Sequence, residues 1–155
     1  IKLEKSEDKK NSNSIENFKY VSKDLLGNTY IITAQSAYLN KDEIDQVELI
    51  GVNAEIIREN DEVIYINSDQ ADYNKVNNNT IFKQNVNIDY GQQTINANII
   101  KLNFTENYIE ITENVNYINK ETKINADKID IDLSNKKLKI SMIDQNDMVN
   151  ITRKY

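Results

Sequence analysis

Four stretches of the chain can be laid over one another: Ile32–Asn40, Ile66–Asn74, Ile95–Asn103 and Ile124–Asp132. Their leading isoleucines stand 34, 29 and 29 residues apart. In each, a small residue follows two places on (Ala34, Ser68, Ala97, Ala126), and the next inward-type positions fall five and seven places after the leader. Apolar alternation with a period of two marks a strand with one buried face, and a one-residue slip would turn the rest of that strand over. A strand that keeps the same face buried through the slip has to turn a corner there, at a bulge or a break. Four such corners predict a repeated all-β unit.

A second feature recurs at a fixed offset. Val52, Val86 and Val115 each follow a leading isoleucine by 20 residues, whereas position 144 is Asp. The array is therefore expected to end near Leu138–Met142, with Met148–Ile151 as a terminal strand or frayed tail, because end units of a stacked array are atypical. The aperiodic, charged residues 1–14 are read as a disordered tether, 15–145 as the domain, and 146–155 as the terminal strand or tail.

Between these marks, turns are expected at Leu26–Asn28, Lys75–Asn79, Tyr90–Gln93, Thr105–Asn107, Asn119–Thr122 and Ser134–Lys136, separating runs of about five to eight residues. The chain has no Pro and only three Gly. Asn, Asp, Lys and Ser must then make the turns, and Asn is suited because it tolerates left-handed backbone. Two architectures share such repeats, a parallel β-solenoid and a curved antiparallel jelly roll. The phase slip, short connections and scarce Gly favour the second: all-β, roughly 14–16 short strands, no significant helix. Asp42–Leu49 could form a helical turn at most. The inward set is expected to be Ile32, Ala34, Leu49, Val52, Ile66, Tyr73, Phe82, Val86, Ile88, Ile95, Leu102, Phe104, Ile109, Ile111, Val115, Tyr117, Ile124, Ile131, Leu133 and Ile140.

Composition removes several chemistries. There is no Cys and no His, hence no thiolate nucleophile, no Ser-His-Asp triad and no ordinary zinc site. A net charge of −6 disfavours a nucleic-acid partner. The densest acidic cluster, Asp127, Asp130 and Asp132, with Asp69 and Asp72 at equivalent places, could ligate a cation. Its alternation with Ile129, Ile131 and Leu133 reads it as solvent-facing instead. Lys136, Lys137 and Lys139 read as a turn and an exposed strand face. No catalytic residue, metal site or cofactor is predicted.

The series Ser68-Asp-Gln-Ala71-Asp-Tyr73-Asn74, Asn85-Val86-Asn-Ile88, Ile95-Asn-Ala97 and Leu102 resembles the OstA-like lipopolysaccharide-transport domains, and is most similar to the LptC family. Asn17–Tyr20 through Tyr30–Tyr38 fit that family's start and Ile129–Met142 its end, so the resemblance spans about residues 15–145. The family's frequent Gly-Asn-Val is here Gln84-Asn85-Val86 and Glu113-Asn114-Val115, and Gly survives only at Gly51-Val52. The resemblance implies a non-enzymatic jelly roll in the periplasm, anchored in the inner membrane by a helix preceding Ile1. It implies lipopolysaccharide as cargo, the LptBFG transporter at the N-terminal edge, an LptA-like bridge at the C-terminal edge, and edge-to-edge homodimers. The lipid groove would be lined by Leu49, Val52, Ile66, Tyr73, Phe82, Val86, Ile88, Ile95, Leu102, Phe104, Ile111, Val115, Tyr117, Ile131, Leu133 and Ile140. The partner edge would be Leu138, Lys139, Ile140, Ser141 and Met142. A soluble LptA-type bridge, or an adhesive β-repeat module without lipid, are the alternatives.

Overall fold

The structure, a computed structural model, describes residues 13–142 and the backbone of 151–154. Ten strands follow one another in a single antiparallel sheet whose spatial order is the sequence order. They are β1 (Asn13–Lys23), β2 (Thr29–Leu39), β3 (Gln46–Ile57), β4 (Val63–Asn74), β5 (Thr80–Tyr90), β6 (Gln93–Asn103), β7 (Tyr108–Ile118), β8 (Lys123–Asp132), β9 (Lys137–Ser141) and β10 (Ile151–Lys154). The all-β expectation holds, and so does the curved, jelly-roll-like antiparallel sheet.

The expected strand count does not hold. Ten strands, most of 10 to 12 residues, replace 14–16 short ones. Each long strand carries a corner through which pairing resumes, so the runs counted apart on either side are two arms of one strand. Val47–Leu49 and Ala54–Ile56 are the clearest case, both lying in β3 about Gly51.

Two backbone devices make the corners. β2, β4, β6 and β8 slip phase, with inward residues at 34 then 37, 68 then 71, 97 then 100, and 126 then 129. The strands between them place left-handed residues at the same level: Asn17, Gly51, Gln84 with Asn85, and Glu113 with Asn114. In β5 and β7 the two left-handed residues constitute a bulge, lying between the pairs Lys83↔Ile99 and Val86↔Ala97, and between Thr112↔Lys128 and Val115↔Ala126. A bulge bends its strand and increases the local twist, which lets the sheet fold over.

Turn chemistry matches the composition. Asp24, Asn40, Asn60, Asn74, Asn103, Asn119 and Asp132 each accept a backbone N–H two or three residues on. Residues 40–45 form a loop, and Asp42–Leu49 contains no helix. β1 begins two residues inside the predicted tether, and the rest of that tether lies outside the described residues. So does Met148 of the predicted terminal strand, whose observed counterpart is β10.

Candidate functional site

The corner divides the sheet into two arms. The upper arm ends at turns 24–28, 58–62, 91–92 and 119–122, and the lower arm at 40–45, 75–79, 104–107 and 133–136. Contacts between the arms join strands far apart in sequence. On the upper arm of β1, Tyr20 packs against Tyr73 of β4 with ring centroids 5.0 Å apart. Tyr30 of β2 meets Phe104, at the end of β6, edge to face at 4.8 Å. The upper arms of β4 to β6, through Ile64, Ile88 and Ile95, approach Ile131 of β8 and Leu138 of β9. An upper arm thus covers the lower arm three or four strands further on, and the sheet rolls upon itself.

The interior between the arms is one apolar cluster extending from β2 to β9. Fifteen of the sixteen residues expected to line a groove are buried in it, from Phe82, Leu49 and Ile111 at 0% exposure to Ile131 at 4%. Phe104 is half-buried and packs against the same cluster. The twenty-residue inward set is likewise buried apart from Phe104 and Ile124, which are intermediate. The inward list omitted Tyr30, Val47, Ile56, Ile64 and Leu138, whereas Ala37, Ala71, Ile100 and Ile129, five places after their leading isoleucines, are buried where the repeat put an inward position. Strict alternation from each corner finds the omitted ones: Tyr30 and Ile64 stand two residues before their leading isoleucines, and Ile56 four after Val52.

The interior is packed. The void lined by Ile64, Ile88, Tyr90, Gln93, Ile95, Ile131 and Leu138 measures only about 10 Å³, room for one water at most. Each fully buried Ile, Leu or Phe contributes about 1.5–3 kcal/mol from leaving water. The same side chains therefore make the core of the closed domain.

Polar groups close the rims. Tyr20 and Tyr73 both donate to Oδ1 of Asn78, at 2.9 and 2.7 Å. Tyr30 donates to Asp24 Oδ2 at 3.1 Å and lies 3.2 Å from Asn107 Oδ1. Burial, reinforced by Asp24, pushes the Tyr30 hydroxyl well above the ordinary phenol range. Burial and the adjacent Tyr20 do the same for Tyr73. Arg58, 4% exposed, reaches Glu62 at 3.7 Å across the turn after β3. Tyr90 donates to Glu62, and that bond holds the carboxyl below its usual range.

The acidic cluster lies on the outward face of β8 but is not simply solvated. Asp130 accepts from Tyr108 and lies 3.4 Å from Lys128, which also pairs with Glu110 at 3.1 Å. Among the described residues no group of His, Cys, Asp or Glu is placed to hold a metal ion. Nor is any helix long and apolar enough to cross a membrane.

The expected partner edge is occupied. β9 pairs with β8 on one side and with β10 on the other, Ile151↔Ile140 and Arg153↔Leu138 among the pairs. Sheet order nonetheless leaves free edges. Among the described residues β1 has no neighbour beyond it, and β9 covers only residues 128–132 of β8, so 123–127 have no strand on that side.

Compared with known families, residues 2–142 match the one described as lipopolysaccharide-assembly, LptC-related. None of the curated proteins matches the chain.

Proposed function

The chain belongs to the LptC family of lipopolysaccharide transport, and from that premise we propose that the interior between its arms takes up lipopolysaccharide acyl chains and hands them on. The observation that carries this is the uninterrupted apolar lining from β2 to β9, enclosed between arms joined through the corners. An acyl chain of about a dozen carbons costs on the order of 10 kcal/mol to leave in water, at ~0.8 kcal/mol per CH₂. A carrier must therefore keep it continuously covered. Parting the arms exposes Ile, Val, Phe and Tyr side chains that an acyl chain covers again, so apolar area is exchanged rather than lost. Loading is then an opening of the packed sandwich, with the tyrosine and arginine contacts at the rims as the first to yield.

In this reading the domain acts in the periplasm behind an N-terminal inner-membrane anchor and has no catalytic role. The free edge of β1 meets the LptBFG transporter, and the C-terminal end of the sheet meets an LptA-like bridge by strand addition. The same edges would serve a homodimer.

A photo-crosslinking residue at Phe104 or Ile124, both inward and half-buried, is expected to capture lipopolysaccharide. The same group at Lys101, outward and exposed, is the control. Capture at Lys101 alone, or at none of the three, would sink the proposal.

A further inference from the structure

The outward face of the sheet carries a row that composition does not explain. Asn53 of β3 pairs with Asn67 of β4, Asn67 with Asn87 of β5, and Asn87 with Asn96 of β6. Asn96 then pairs with Asn116 of β7, and Asn116 with Asn125 of β8. Six consecutive strands thus present Asn at one level, just beyond the corner.

Asn is a poor strand residue, and a mere surplus of it would scatter. The row at the lower strand ends (Gln46, Asn74, Asn103, Tyr108, Asp132) has two and the corner exposes Asn85, Asn98 and Asn114, but six in unbroken register occur only here among the described residues. Three other outward rows across the same strands contain none. The row beside it on the upper arm runs Glu55, Tyr65, Asp89, Thr94, Ile118 and Lys123. The two on the lower arm mix Ile, Gln, Thr, Lys, Asp and Glu. Nor is the row consumed internally. Asn87 donates to Asp89 and Asn116 to the carbonyl of Asn114, but Asn53, Asn67, Asn96 and Asn125 make no side-chain hydrogen bond among the described residues.

We infer that this row is a binding strip for an extended, uncharged polysaccharide. Each primary amide offers two donors and an acceptor in one plane, the match for vicinal hydroxyls that both donate and accept. Adjacent strands are about 4.8 Å apart, so the row runs about 24 Å in even steps, and successive rings of an extended sugar chain advance by a similar distance. Tyr65, 49% exposed, stands two residues from Asn67 on the same face and offers an aromatic platform to a sugar ring. Asp89, held by Asn87 at 2.9 Å and by Thr94 at 2.9 Å, adds a fixed acceptor. The amides carry no charge, and the flanking row sets Glu55 and Asp89 against the single Lys123, so an anionic chain is disfavoured while a neutral one is not. The strip lies on the sheet face opposite the interior and is independent of lipid uptake.

The test is an array of uncharged oligo- and polysaccharides free of lipid, followed by calorimetry on the strongest hit. N67D/N96D, which keeps side-chain shape and replaces donors by charge, and Tyr65→Ser are each expected to weaken binding about tenfold. Lys101→Ala, two rows away across the corner, should leave it within about twofold. Circular dichroism and thermal melting establish that the variants fold. Three outcomes overturn the proposal: no uncharged glycan binds, only lipid-linked glycans bind, or affinity is indifferent to N67D/N96D and Y65S.

Discussion

Gln84 and Glu113 occupy left-handed backbone, at φ of 64° and 65°, where the family's Gly would be unstrained. A non-glycine residue there costs roughly 1–2 kcal/mol, partly offset because Gly itself loses more entropy on folding. Gln84→Gly is therefore expected to raise stability by about 0.5–1 kcal/mol, and Gln84→Val to lower it by about 1–2 kcal/mol. Urea unfolding midpoints check both, and a destabilising glycine would contradict the strain account. The backbone requirement of Gly-Asn-Val is thus kept here without its glycine. Gly51, at φ 63°, keeps a left-handed glycine but without the Asn, and a Cβ there would fall 2.7 Å from the Gln35 side chain. The sequence marks Gln84 and Glu113 as standing where the resembled family has Gly, but not their backbone angles, which the bulge imposes through pairing on both sides.

At the scale of the strand, the repeat located the corners of β2, β4, β6 and β8, and six of the eight turns between β1 and β9 were expected, those at 40–45 and 58–62 excepted. It could not show that pairing continues through the corner, because alternation restarts there just as it would in a new strand. It likewise could not show which strand covers the last one. Leu138 and Ile140 alternate as an end strand should, and β10 nevertheless lies along them. If an LptA-like bridge adds its strand to β9, β10 competes for the same backbone groups. Removing residues 143–155 is then expected to tighten binding several-fold, read by biolayer interferometry, with thermal melting to confirm the fold. Unchanged or weakened binding would move the contact to the open segment of β8 at 123–127 or to β10 itself.

Over the whole molecule, tyrosines fasten one arm to the other, and this gives the sandwich an alkaline limit. Tyr30 and Tyr73 have their hydroxyls raised chiefly by burial, as has Tyr108 on the outer face, where Asp130 adds to it. Unfolded tyrosine titrates near pH 10. A folded value above the unfolded one means that the stability these groups contribute is complete below about pH 10 and is lost as pH rises beyond it. An absorbance titration should show part of the tyrosine ionising late and together with loss of the β-sheet circular dichroism signal. Ordinary titration of every tyrosine with the sheet intact would contradict the burial described here. The all-β class, the corners, the turn chemistry and most of the buried set were determined by the sequence alone, because a period of two and its slip are local and leave their mark residue by residue. The tertiary structure decided what depends on residues distant in the chain: which arm covers which, that the interior is packed shut, that β10 lies on β9, and that six asparagines stand in one row. Register and rolling bring such residues together, and no local period records them.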